Sequence, residues 1–158
     1  MIPLWAFLLV VVIAVAALVG LWLSLTASRL NRLHIRTDAA RLSLEGALQA
    51  RSAVVSAIRP ELGRAAGRTT AVALKASDMG ARSDSENILL RQLSAEDLVN
   101  PALVEASVKV DIAARFYNDA VGDTRDLRKR PVVRVFRLAG SAPLPAYYEA
   151  MSVGDGSV

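Results

Sequence analysis

His34 is the chain's single histidine, and cysteine is absent, so this imidazole is the one neutral nitrogen ligand or acid–base group of its kind that the sequence offers. Asp38 follows it by four residues, the spacing of one helical turn, at which two side chains share a helix face. A di-iron helical site requires a Glu-x-x-His pair on each of two helices, but position 31 is asparagine. No Gly-x-Ser-x-Gly elbow accompanies His34 as a hydrolase nucleophile would, and no glycine-rich phosphate loop is present. The absence of cysteine removes disulfides, thiolate metal sites and a thiol nucleophile. These residues point to no catalytic, cofactor-binding or metal site, and His34 reads as a solvated side chain.

Two other groups can recognise rather than react. Asn118 carries an amide that both donates and accepts, and Asp119 stands four residues after Arg115. On a helix, Asn118 would fix register through an interhelical hydrogen bond, or form part of a partner-binding surface. The second group is basic: Arg29, Arg32 and Arg36 in one segment, and Arg125, Arg128, Lys129, Arg130, Arg134 and Arg137 in another. With Asp126 included, these segments carry +3 and +5 of a formal net charge of only +4, which leaves the remainder at about −4. Such clusters suit anionic lipid, each basic residue contributing on the order of 1 kcal/mol near a charged surface. Nucleic acid is not expected, because no zinc-binding spacing, aromatic stacking platform or reader motif accompanies the charge.

The elements that must position these groups begin with an anchor. From Met1 to Ser28 no side chain is charged, which is long enough to cross a hydrocarbon core of about 30 Å as a helix. Trp5 and Trp22 stand about 25 Å apart on such a helix, near the spacing of the two aromatic belts. No basic residue precedes the run, unlike a secretory signal, although Thr26-Ala27-Ser28 imitates a small-residue cleavage site. Ala16-x-x-x-Gly20 would let two anchors approach closely. Arginines only on the C-terminal flank predict a cell-membrane protein with Met1 outside and the remainder cytoplasmic.

Beyond the anchor, about 130 residues suffice for one small domain. A period of 3.6 places Leu30, Leu33, Thr37, Ala40, Leu44, Ala47, Val54 and Ile58 on one stripe, with Arg51 interrupting it. Pro60 should stop this helix, with a second running from Glu61 to about Met79. Gly80 and the polar run Arg82-Ser83-Asp84-Ser85 read as a loop, followed by a short helix from Glu86 to about Leu93. Asn100-Pro101 is a helix start, asparagine capping free N–H groups and proline preset for the first turn. The helix it opens should reach about Arg130, with Leu103, Ser107, Val110, Ala114, Tyr117, Val121 and Thr124 on one face.

The expected fold is therefore all-α: a single N-terminal transmembrane helix (1–28) followed by an antiparallel bundle of three to four helices, two of them long (29–130). A basic and aromatic membrane-proximal segment (131–150) and a flexible tail (151–158) complete it. Val132, Val133, Val135, Phe136 and Leu138 alternate with Arg134 and Arg137, which suits either a lipid surface or a cap over the open end of the bundle.

The stretch Ala114-Arg115-Phe116-Tyr117-Asn118-Asp119-Ala120-Val121 resembles the LemA family of bacterial membrane proteins, whose last long helix carries A-R-x-[FY]-Y-N-x-A-V, the part from x onward falling on Arg115 to Val121. The uncharged N-terminus, Ser28-Arg29-Leu30, Glu86-Asn87-x-Leu89 and Tyr147-Tyr148-Glu149 extend the resemblance. The chain departs from that pattern at Ala27-Ser28, Arg41 and Ala53-Val54-Val55-Ser56-Ala57, as a divergent member would. The resemblance implies a membrane-anchored helical bundle without enzymatic activity. The expected function is an interaction or scaffold module at the inner leaflet, with anionic headgroups, an unknown protein and a second copy as candidate partners. The alternative is a sensor whose basic C-terminal segment docks on anionic lipid.

Overall fold

A computed structural model describes residues 3–136, 138 and 143–149. It is all-helical, with six helices among the described residues: α1 (Leu4–Ile58), α2 (Gly63–Ala71), α3 (Gly80–Leu90), α4 (Ala95–Leu98), α5 (Pro101–Lys129) and α6 (Pro131–Val135). A 3₁₀ turn, Pro60–Leu62, joins α1 to α2.

α1 is one uninterrupted helix of 55 residues, about 80 Å long, so the apolar run and the first amphipathic stripe are halves of a single rod. No described residue before Leu30 is buried, whereas Leu30, Thr37, Leu44, Leu48, Arg51, Ser52 and Val55 are. This is the one described helix long and apolar enough to cross a membrane, and no residue of its most apolar window is buried. Pro60 ends it by excluding the α conformation from the residue before it, and Arg59 turns out at φ −127° and ψ 83°.

α5 runs back along the second half of α1. Val55 clusters with Leu103 at one end, Leu44 and Leu48 with Val110, Tyr117 and Val121 in the middle, and Leu30 with Leu127 and Val133 at the other. Its start follows the sequence signal: Pro101 is the first helical residue, and Asn100 Oδ1 accepts from the Ala102 N–H at 3.0 Å. Every residue of the stripe from Leu103 to Thr124 is buried.

The middle of the chain departs from expectation. α2 stops at Ala71 instead of near Met79, and α3 begins at Gly80, so the polar run Arg82–Ser85 is helical and not a loop. One side chain accounts for both. Arg82 Nη1 donates to the carbonyls of Thr70 at 3.2 Å and Val72 at 2.9 Å, taking acceptors that a terminating helix leaves free. The intervening loop then carries Leu74 and Met79 into the central core. The expected helix to Leu93 ends at Leu90, and a separate turn, α4, is nucleated by a capping box in which Ser94 and Asp97 each satisfy the other's backbone N–H.

Candidate functional site

Three polar assemblies are built on the α1–α5 pair. The first lies on the middle of α5, against which residues 143–149 lie as a strap without helix or strand. Asn118 holds the strap in the manner of a backbone partner: Nδ2 donates to the Tyr148 carbonyl at 2.9 Å and Oδ1 accepts from the Tyr148 N–H at 2.8 Å. Tyr117 donates its hydroxyl to the Ala146 carbonyl at 2.9 Å, and the Ala146 N–H reaches the Ala76 carbonyl at 2.7 Å. Ser83 donates to the Glu149 carbonyl from α3. These bonds seat Tyr148 in the central core beside Leu44, Leu48 and Tyr117. Burial pushes the Tyr117 and Tyr148 phenols up to about 12, because an ionised ring would have to shed its water there.

The second assembly is a buried ionic network. Arg51 of α1 donates through Nη2 to Glu86 Oε2 at 3.1 Å, and Arg82 donates through Nε to Glu86 Oε1 at 2.9 Å. All three side chains are almost fully enclosed, at 3%, 1% and 0% exposure for Arg51, Glu86 and Arg82. Arg51 Nε and Nη1 have no hydrogen-bond partner, and Arg82 Nη2 stands 2.9 Å from Oε1 without an aligned hydrogen bond. One carboxylate thus faces two guanidinium groups, a charge-assisted network whose geometry is only partly satisfied. Nearby, Arg59 grips both Asp97 oxygens through Nε at 2.9 Å, binding the end of α1 to α4. The Asp97 carboxyl is held below its ordinary value, first by hydrogen bonds from the Ser94 backbone and hydroxyl, then by Arg59.

The third assembly is a basic cleft of about 610 Å³ between α5, α6 and the strap, lined by Arg125, Arg128, Lys129, Arg134, Leu144 and Tyr147. The Arg125 guanidinium lies over the Tyr147 ring, 5.0 Å from its centre. Arg128 Nη1 donates to the Pro143 carbonyl at 3.0 Å.

The expected interface residues divide accordingly. Trp5 and Trp22 are exposed on the apolar half of α1, and Arg29 and Arg32 are exposed just beyond it. Arg36 instead pairs with Asp123 of α5 at 2.7 Å. Arg128, Lys129 and Arg134 line the cleft, Arg130 is exposed at the end of α5, and Arg137 lies outside the described residues. Within the motif, Tyr117, Ala120 and Val121 are buried, Asn118 is half-buried, and Arg115, Phe116 and Asp119 are exposed. Arg115 and Asp119 form no ion pair, and Asn118 bonds to the strap in place of a neighbouring helix. His34 is half-buried, and no cluster of three metal-ligating side chains occurs among the described residues. Sequence reasoning missed the Arg51–Glu86–Arg82 network. Its one signal was the arginine that interrupts an apolar stripe.

No family model, no curated protein and no solved structure matches the chain.

Proposed function

We propose that the chain is a non-enzymatic, single-pass membrane protein whose helical domain, an antiparallel bundle, acts as an interaction or scaffold module at the cytoplasmic leaflet. The observation that carries this reading is the division of α1: apolar and without a buried residue in its first half, packed against α5 in its second. A rod continuous across that boundary would hold the bundle at a fixed height and angle to the bilayer, which suits a scaffold. Arginines confined to one flank of the span support the cytoplasmic side. The single histidine and the absence of cysteine support a role without chemistry of its own, as does the resemblance to the LemA motif, now in part the seat of the strap.

The test is sidedness. Ser77 is exposed in the loop between α2 and α3, and the chain has no other thiol, so Ser77→Cys gives a single reporter. Protection from a membrane-impermeant thiol reagent in whole cells, followed by labelling after lysis, is the expected result. Labelling of intact cells would move the domain to the outer side and remove the cytoplasmic reading.

A second reading, a lipid-responsive sensor, is favoured by the basic cleft. In it, contact with anionic lipid would change how the strap and α6 sit on the end of α5.

A further inference from the structure

The basic cleft at the α5–α6 corner has the composition of a binding site and not merely of a charged surface. Among the described residues, four cationic side chains line it, Arg125, Arg128, Lys129 and Arg134, and no acidic one does. Asp126 stands outside and pairs with Lys129 at 3.0 Å, but both are about three-quarters exposed, so the ammonium is easily exchanged to a stronger anion. Arg125 is held over the Tyr147 ring by a cation–π contact, and its planar guanidinium carries N–H groups at the edges, where a phosphate can be met two bonds at a time. Leu144 and Tyr147 add an apolar wall. The volume of about 610 Å³ exceeds what inorganic phosphate needs and falls within the range of small-ligand sites, so a phosphate with an organic substituent fits better.

The position of the cleft narrows the ligand further. α6 packs through Val133 on Leu30 and Leu127, and Leu30 directly follows Arg29, the first charge after the apolar half of α1. With that half in a bilayer, the cleft stands within a few turns of the headgroup layer. We infer that this cleft binds the phosphate of an anionic membrane lipid, with Arg125 and Arg134 as the principal donors and Tyr147 as the wall that orients Arg125. The inference rests on the reading of α1 as a membrane anchor. It adds to that reading a discrete, saturable site, in place of diffuse attraction between basic residues and a charged surface.

The full-length chain in neutral detergent, titrated with phosphatidylglycerol or phosphatidylcholine and followed by mass spectrometry of the intact complex, tests this directly. Expected are one saturable phosphatidylglycerol per chain, little phosphatidylcholine, and an affinity at least about tenfold weaker in R125A/R134A, which removes two charge-assisted contacts. The control is R64A/R68A, which removes the same charge from an exposed surface of α2 and should leave the affinity unchanged. R125K keeps the charge but not the planar fork, so an intermediate loss is expected. Equal weakening in the control, or binding without saturation, would overturn the site in favour of diffuse electrostatics. Inorganic phosphate that displaces the lipid at matching concentration would overturn the lipid as source and leave a free phosphate ester. Circular dichroism of each variant guards against an unfolded protein being read as a lost site. Extraction of the wild-type chain from membranes by high salt alone would refute the anchor itself, whereas retention without phosphatidylglycerol preference would refute only the cleft.

Discussion

The face that α1 turns towards the rest of the domain carries polar groups at two levels, and they solve the same problem differently. Near the apolar half, Thr37 meets Thr124 of α5 at 3.0 Å and also bonds to the carbonyl of Leu33, so two buried hydroxyls satisfy themselves locally. Four turns further on, Arg51 enters the core and meets Glu86 and, through it, Arg82. The neutral level needs no third element and can form as soon as the two long helices pair. The charged level is complete only when α3 arrives, because both remaining members come from it. Thr37 therefore reports on the helix pair alone, and Arg51 on the whole domain.

Removing the shared carboxylate should have the largest effect. Glu86→Gln leaves two enclosed guanidinium groups without a counter-charge, a change expected to destabilise by about 3–5 kcal/mol. Thermal unfolding of the detergent-solubilised chain measures it. Replacing the whole network, as in R51M/E86L/R82M, should recover part of that loss if the cost of burying the three charges outweighs the attraction among them. It should not recover all, because Arg82 also ends α2 through the Thr70 and Val72 carbonyls. Full recovery would mean that the network serves no structural purpose that an apolar core cannot serve.

Next in size is the release of the strap. Asn118→Ala removes both bonds to Tyr148 and leaves a backbone N–H and C=O without partners, for an expected loss of about 1–3 kcal/mol. Amide exchange at Tyr148 should accelerate well ahead of exchange in α5, which separates strap release from global unfolding. The same region gives a pH signature. Tyr148 has its folded value raised from 10.0 to about 12, so its contribution is fully present below pH 10 and is lost as pH rises through about 12. Tyr148→Phe should reduce the fall in stability over that window, leaving the part that Tyr117 contributes. An unchanged profile would show that the phenol is already solvated.

The contrast between the levels also explains what the sequence could disclose. α5 was legible because its start, its stop and its packed face are all local: Asn100-Pro101, Pro131, and a stripe that keeps its period from Leu103 to Thr124. On α1 the same periodicity found Leu30, Thr37 and Leu44, but it placed Ala47 and Val54 on the stripe where Leu48 and Val55 are the enclosed residues. The second half of α3, from Glu86, was legible as helix, but its first half was not, for a physical reason. Arg82 and Ser83 look like part of a polar loop because groups that make their burial tolerable, the carbonyls at the end of α2 and the strap, are 10 to 66 residues away in the chain. The strap shows the same limit. Nothing periodic marks residues 143–149, so the seating of Tyr148 depends on Asn118, Tyr117 and Ser83, which a reading by window does not join to it. Asn118 was recognised as a polar group at the edge of a packed face, but its partner was a strap and not a helix.

At the neutral level, Thr37→Val keeps the shape and removes a hydroxyl whose partner Thr124 is fully enclosed, for an expected loss of about 1 kcal/mol. The double variant T37V/T124V should cost less than the sum of the singles, since neither hydroxyl is then left waiting for the other. Strict additivity would show that the two do not bond.

The smallest effect belongs to the pair that looks strongest by distance. Arg36 and Asp123 approach to 2.7 Å, shorter than any contact in the buried network, yet both side chains are more than half exposed. Water already solvates each charge, and ordering two flexible side chains offsets much of the attraction, so Arg36→Ala should change stability by no more than about 0.5 kcal/mol. That change should fade on raising salt to about 1 M, where screening acts within about 3 Å. The Glu86 variant should keep its full effect under the same salt, because ions do not enter the core. A salt-resistant loss at Arg36 as large as that at Glu86 would undo the contrast, since exposure would then not be what separates the two kinds of ion pair. The expected outcome makes burial, and not separation, the quantity that decides what an arginine on α1 contributes to this fold.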